Sequence, residues 1–579
     1  MPKRGGSGHV ATIKTKGKGG REYTSHLLRR SYRDAQGKVR HENLGNLSHL
    51  PIEIIESIRA MLAGRELVDL DESFEIERSL PHGHVAAVLG VLRDLDLERL
   101  ISRERCRERD LVVAMVAQAL IGPGSKLSAT RRLPKTTLAD ELALGEVKEA
   151  ELLAAMDWLL PRQERIEKAL AKRHLAGEGF MLYDLSSSYV EGRCCPLAVR
   201  GYSRDGKKGT AQINYGLTCS PEGRPVAICV HPGNITDQRT LPGAVAAVRD
   251  RFGIKDVVVV GDRGMLTSAH AEALTEAGVD FVSALKSAQI RALVESGDLQ
   301  LTLFDEINLA EISSDEFPGE RLVVCRNPAV AEERRRKRGE LLAATAAELE
   351  QVRSMVEGER GTLRAADAAK IGTRAGRVVN KYKMAKHFEL SIADGAFSFE
   401  RKEAQITAEA SLDGFYVIRT TCATSKLETS ASVVRTYKQL KMAERAFRTM
   451  KDMIEIRPIH HHLEDRVRAH AFLCMLAYYV AFEAHLRLAP LLFTDEEPLA
   501  PVDPVVPAER SASARAKAGS ARTADGHTAH SFCDLISELG TLCRNEVRVG
   551  TSEHTYTRLT KANDLQARAL ELLEIKLHK

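Results

Sequence analysis

Nothing in this 579-residue chain approaches the roughly 18 to 20 uninterrupted apolar positions that a membrane span requires. It begins MPKRGGSGHV, without the apolar stretch of a secretory leader, so a cytoplasmic protein without a membrane partner is expected. Ten cysteines form no CxxC pair, and Cys194 and Cys195 are adjacent, which is poor geometry for a bridge. Zinc-finger and disulfide-scaffold readings therefore find little support. The GKGG stretch around Lys18 lacks both the GxxxxGK(S/T) spacing and a preceding strand, so no nucleotide cofactor is expected. Bulk disorder is excluded as well. With 44% hydrophobic and 28% charged residues the chain can bury several cores, and its length suggests about three or four domains.

Charge is unevenly spread. Residues 1–44 carry eleven Lys/Arg, from Lys3 and Arg4 to Arg40, against Glu22, Asp34 and Glu42. That segment is +8, which leaves −3 for the rest of a chain whose net charge is +5. A basic arm suits phosphate contact and counterion release, although a solvated tail accounts for this one feature equally well.

The pattern divides the chain into seven stretches. Residues 1–50 read as a basic arm and a β-hairpin, with strand-like runs around Asp34-Ala35-Gln36-Gly37. Residues 51–176 carry apolar positions at helical spacing, interrupted at Pro134 and Pro161, and read as a helical DNA-binding region. Residues 177–286 run strand, strand, strand and then alternate helix with strand, which fits an α/β sheet. Residues 287–410 read as an insertion with strand-like LQLTLF, RLVVCR, HFELSI and AFSFERK around a long charged helix. That helix contains the basic run Arg334 to Arg338, better explained as a solvated face than as a binding site. Residues 411–490 return to a strand, DGFYVIRTT, and two strong helices. A Pro/Ala/Ser-rich linker (491–527) and a small helical piece (528–579) complete the chain.

Three acids stand out. Asp184 follows Phe180-Met181-Leu182-Tyr183, and Asp262 follows the apolar run ending at Gly261. Ligand sites in α/β sheets gather beyond the carboxyl ends of strands, although either acid alone is better explained as a turn former or cap. Glu444 adds more. Tyr437, Glu444 and Lys451 are spaced seven and seven, so they share one helix face, with Lys441 and Arg448 close to it. Met442, Ala443, Ala446, Phe447, Met450, Met453 and Ile454 occupy the opposite arc. A surface salt-bridge row joining Lys441, Glu444 and Arg448 is the bland alternative.

YDLSS, the HPGNITD loop (His231 to Asp237), VVVGDRG and the Tyr437-x6-Glu444-x6-Lys451 helix together resemble the DDE transposases of bacterial insertion sequences, in the branch with a Tyr-Arg-Glu-Lys signature. The resemblance runs on through IRPIHHH and RVRAHAFLCMLAYY and covers about residues 20 to 490. It implies an RNase H-like α/β catalytic core with a mixed α/β insertion between the second Asp and the Glu, preceded by the hairpin arm and the helical region. Leu440 stands where the signature has Arg, so Lys441 or Arg448 would supply that cation.

The implied chemistry is two-metal phosphoryl transfer. Three carboxylates in one place repel, a hard divalent cation relieves the repulsion, and Mg²⁺ prefers oxygen ligands. Asp184, Asp262 and Glu444 would hold two Mg²⁺ ions roughly 3.5–4 Å apart, with Mn²⁺ able to substitute. Water would cut double-stranded DNA at an element end, and the freed 3′-hydroxyl would attack target DNA, inside a synaptic homodimer. Tyr437, Lys441, Arg448 and Lys451 would position the DNA backbone. Rival readings are an RNase H-like nuclease without strand transfer and an inactive DNA-binding regulator. A serine or tyrosine recombinase fits worse, because Tyr437 is accompanied by an acid. His460, His461, His462, Glu464 and His470 tempt a zinc reading, but without HExxH or a cysteine a histidine-rich junction after Pro458 is preferred.

Overall fold

The computed structural model describes residues 8–16, 21–65, 74–175, 179–192, 194–305, 307–358, 363, 367–498, 501, 503–549 and 554–577. Lys3, Arg4, Lys18 and the GKGG stretch lie outside these residues. The fold is mixed α/β, with four sheets among the described residues. It divides into two compact units, one of Met1–Leu80 with Cys543–Thr560, the other of Pro81–Leu542 with Lys561–His578.

In the first unit β1 (Gly8–Lys16), β2 (Glu22–Arg33) and β3 (Val39–Asn46) form an antiparallel sheet. The hairpin β2–β3 turns where Asp34 Oδ1 accepts from the Gln36 and Lys38 amides and Gly37 takes a φ of 80°. A strand joins it that the loose-looking start concealed: β1 alternates polar and apolar residues, buries Val10 and pairs with β2 along its length. Cross-strand pairs Arg30–Glu42 and Lys16–Glu22 absorb part of the basic charge. A second sheet places β17 (Thr555–Leu559) and β16 (Cys543–Val549) beside β4 (Phe74–Pro81). The chain's end is therefore part strand, where a helical piece was expected; RNEVRV and TYTRL alternate as strands do once a distant edge is there to pair with.

The second unit holds a nine-stranded sheet in the order β11-β12-β15-β10-β9-β5-β7-β6, with β8 also paired to β7. Its strands are β5 (Phe180–Tyr189), β6 (Val199–Arg200), β7 (Ala211–Cys219), β8 (Pro225–Pro232), β9 (Val258–Gly261), β10 (Asp280–Ala284), β11 (Leu309–Ile312), β12 (Arg321–Arg326) and β15 (Phe415–Thr420). β5, β9 and β10 run parallel; β7 is antiparallel to β5, and β8 to β7. Gly216 on β7 is required by close approach: a Cβ there would lie 2.1 Å from the Tyr183 hydroxyl oxygen.

Helices Gly83–Asp94, Arg107–Ile121, Glu149–Leu159 and Gln163–His174 belong to the same unit, with Pro134 and Pro161 in short 3₁₀ turns between helices. The helix Glu464–Leu488 has the length and mean hydropathy of a membrane span, although charged residues interrupt its apolar run. Residues on every side of it, from Val467 to Leu488, are buried in the protein, as in a central core helix.

Between β10 and β15 the chain does two things. β11 and β12 extend the main sheet, so the front of the stretch read as an insertion is part of that sheet. LQLTLF, expected as a strand, instead contains the 3₁₀ turn Leu301–Asp305, with Phe304 buried 5.3 Å from the ring of Phe415. Beyond it the helices Pro328–Glu357 and Ala368–Lys381 and the hairpin β13 (Phe388–Ala393) with β14 (Ala396–Arg401) enclose their own core around Leu349, Ile371 and Phe397.

Residues 503–527, read as linker, are anchored by two lysines. Lys438 donates to the carbonyls of Pro504, Val505 and Val506, and buried Lys517, on the helix Ala512–Ser520, donates to Leu492 O and Glu496. Composition suggested a linker; backbone carbonyls satisfied by ammonium groups hold it in place.

Candidate active site

Register brings the first two acids together. Tyr183 on β5 pairs with Gly261 on β9, so Asp184 and Asp262 follow side by side on parallel neighbours. Asp262 leaves the end of β9, as its apolar run predicts. Asp184 differs: β5 continues through Ser186-Ser187-Ser188-Tyr189, so the acid sits within the strand. Each carboxylate accepts from the amide of the following residue, Leu185 N at 2.8 Å and Arg263 N at 2.8 Å.

The third acid arrives on a separate element. The run expected as one helix is two, Ser430–Lys438 and Leu440–Asp452, parted at Gln439 by successive i→i+3 bonds (Gln439 N to Thr436 O, Met442 N to Gln439 O). The second helix buries Ala443, Ala446, Phe447 and Met450 and leaves Glu444 exposed. Phe447 packs edge-to-face on Tyr215 of β7, ring centroids 5.6 Å apart, which fixes the rotation of the helix against the sheet. The salt-bridge row is not formed: among the described residues Glu444 has no ion pair, and Lys441 and Arg448 stand exposed without one.

The acids feel one another. Burial, followed by the negative charges of Asp262 and Glu444, pushes the Asp184 carboxyl up to about 7, while the Leu185 amide and Arg204 pull it down. Tyr437, at the end of the first helix, faces Asp262, and burial together with that charge pushes its phenol up. Lys441 and Arg448 are on the surface beside Glu444, as expected. Lys451 is not. Its side chain is 10% exposed and its ammonium lies 2.8 Å from the fully buried carboxylate of Asp205, so it is engaged inside the protein and not presented to a ligand.

Sequence reasoning passed over Arg204 and Asp237, which form an ion pair at the site. The Arg204 amide donates to Ser187 Oγ at 2.9 Å, tying its loop to β5. A Cβ at Gly264 would lie 3.7 Å from Asp237 Oδ2 and 3.9 Å from Asp262 Oδ2, so a fourth carboxylate borders the same space. Asp237 closes the HPGNITD loop; an acid at a loop end beside an apolar strand was the available signal.

The donor set is all hard oxygen, and the raised Asp184 carboxyl is short of positive charge, which is the chemistry that fits a divalent cation. Among the described residues no three His, Cys, Asp or Glu side chains are close enough together to enclose an ion. The carboxylates share an electrostatic field without closing into a ligand sphere.

A family profile described as a transposase DDE domain matches residues 193–480, about half of the chain, taking in Asp262 and Glu444 and starting just after Asp184. A second, the N-terminal domain of the IS1634 transposase family, matches residues 10–70. No curated protein matches. Among solved structures, the cryo-EM structure of a piggyBac transposase synaptic complex with hairpin DNA is similar at 9% identity and a TM-score of 0.32, over 79% of this chain and 76% of that one. The chain belongs to the DDE transposases of bacterial insertion sequences, metal-dependent enzymes that cut and join DNA.

Proposed function

We propose that Asp184, Asp262 and Glu444 are the catalytic acids and that the sheet carrying the first two is an RNase H-like core. The strand order β8-β7-β5-β9-β10 supports this, with three parallel strands flanked by an antiparallel pair and the Glu444 helix packed on β5 and β7. The single observation that carries the reading is the parallel register that sets Asp184 beside Asp262, with the Glu444 helix packed against the same sheet, in a chain whose family depends on divalent metal.

The three acids would hold two Mg²⁺ ions, which when bound supply activation of the attacking oxygen and neutralise charge on the leaving one. Leu185 N and Arg263 N orient two of the carboxylates, and the Arg204–Asp237 pair sets the charge beside Asp184. Lys441 and Arg448 contact the phosphate backbone and supply the cation that Leu440 lacks. Tyr437 holds Asp262 in place. Lys451 acts through Asp205 as a positioning residue. The substrate is the double-stranded end of the element, cut by water to leave a 3′-hydroxyl that then attacks target DNA, within a homodimer in the cytoplasm.

The test is a joining assay in Mg²⁺ with a pre-cut element end and a supercoiled plasmid. Wild type is expected to give a joined product that is absent with Asp184→Asn, while both proteins shift the DNA in gels. Joining by Asp184→Asn at the wild-type rate would overturn the assignment. Cleavage without joining would leave a nuclease, and metal-independent binding alone a regulator.

A further inference from the structure

The basic run that draws the eye in the sequence is largely neutralised. On the helix Pro328–Glu357, Arg335 pairs with Glu332 at 2.9 Å, Arg336 with Glu340 at 2.7 Å and Lys337 with Glu333 at 3.1 Å, while Arg338 is bound by Asp413. The neighbouring helix Ala368–Lys381 is different. Lys370, Arg374, Arg377 and Lys381 are spaced four, three and four, so at about 100° per residue they share an arc of roughly 60° along about 16 Å of helix. All four are exposed. Lys381 is held by Glu348 at 2.5 Å; among the described residues Lys370, Arg374 and Arg377 have no ion pair. Ile371, Ala375, Val378 and Val379 fasten the other face of the helix to its own core. The stripe also borders a concavity. Arg374, Arg377 and Lys381 line a cleft of about 180 Å³ against Gln351 and Met355 of the longer helix, with the one acid in its lining, Glu348, taken up by Lys381.

We propose that this face grips the sugar-phosphate backbone of duplex DNA, independently of base sequence, while the acids act elsewhere on the same substrate. Unpaired cations on a rigid rod offer phosphates a row of partners without first breaking internal ion pairs, which the Arg335–Lys337 run would have to do. A cleft beside two of them lets phosphate oxygens sit between guanidinium groups instead of merely above them. The inference rests on the chain being a transposase, since it deepens how that enzyme holds its DNA.

The experiment measures the affinity of the full-length protein for an element-end duplex between 50 and 200 mM salt. Each lost phosphate contact lowers the slope of log affinity against log salt by about 0.9. K370Q/R374Q/R377Q should lower it by about 2.7, so that the 50-to-200 mM affinity ratio falls about 40-fold. The charge-keeping K370R/R374K/R377K should retain the wild-type slope, as should R335Q/R336Q/K337Q on the neutralised run. Equal slopes for wild type and K370Q/R374Q/R377Q, with unchanged melting temperatures, would overturn the proposal. So would an equal loss in the two neutralised variants. No binding by the wild type would count against the transposase reading itself, which keeps the two failures apart.

Discussion

Lys451 and Asp205 are joined at 2.8 Å, the carboxylate fully buried and the lysine nearly so, and Arg457 reaches the same carboxylate at 2.5 Å. Asp205 also accepts from the Tyr189 amide at 3.2 Å, so one carboxylate ties together the end of β5, the Glu444 helix and the loop that carries Arg204. Burial draws the Lys451 ammonium below its ordinary range, and the bond to Asp205 opposes that.

Removing the carboxylate strands Lys451, while Arg457 keeps its pair with Asp452 at 2.8 Å, and breaking a buried pair in this way costs about 3–5 kcal/mol. Asp205→Ala should therefore lower stability by about 3 kcal/mol in urea titrations. Lys451→Met should cost less, because Arg457 still pairs with Asp205, yet should slow cleavage. The salt slope of DNA binding by Lys451→Met should equal that of wild type. A slope lower by about one unit would instead make Lys451 a phosphate contact.

Glu167 gives a pH signature away from the active site. It is 2% exposed, accepts from Gln163 Nε2 at 2.7 Å and Ile228 N at 3.0 Å, and is pushed up to about 7 chiefly by burial. Between about pH 4.5 and 7 the folded protein binds a proton that the unfolded chain has released, so stability falls as pH rises through that window. Glu167→Gln should stabilise the protein by about 3 kcal/mol at pH 8 and by almost nothing at pH 4.5. An identical gain at both pH values would contradict the assignment.

Phe447 is the anchor of the Glu444 helix against β7. Phe447→Ala is expected to cost about 3–5 kcal/mol through the cavity it leaves. Phe447→Leu should cost less and still lower cleavage, because the edge contact that sets the helix rotation is gone. Cleavage by Phe447→Leu at the wild-type rate would show that the helix is held by other contacts.

Much of this arrangement was legible in the residues. Asp262 after a run of four valines and a glycine, and Glu444 opposite an apolar arc, are patterns that periodicity reads directly. Lys451 shows the limit. Spacing says which side chains share a face but not what will cover the far end of that face, and here a loop more than 200 residues earlier supplies Asp205. The break at Gln439 was equally hidden, because nothing in Tyr437 to Lys441 forbids a continuous helix. Cations offer the same lesson. Arg334 to Arg338 are conspicuous as a run, yet acids three and four residues away pair with Arg335, Arg336 and Lys337, and distant Asp413 binds Arg338. Among the described residues the dispersed Lys370, Arg374 and Arg377 have no ion pair. Asp184 was placed at a strand end because its apolar run stops there; the three serines after it continue β5 with their side chains buried.

The central claim is that Glu444 works with Asp184 and Asp262 on DNA through divalent metal, and excision of a marked element tests it most directly. Glutamine keeps the helix face and removes the charge. Wild type should excise the element in Mg²⁺ and lose that activity in chelator, and Glu444→Gln should fail to excise it while still binding the element ends. Equal excision by the two proteins would contradict the account.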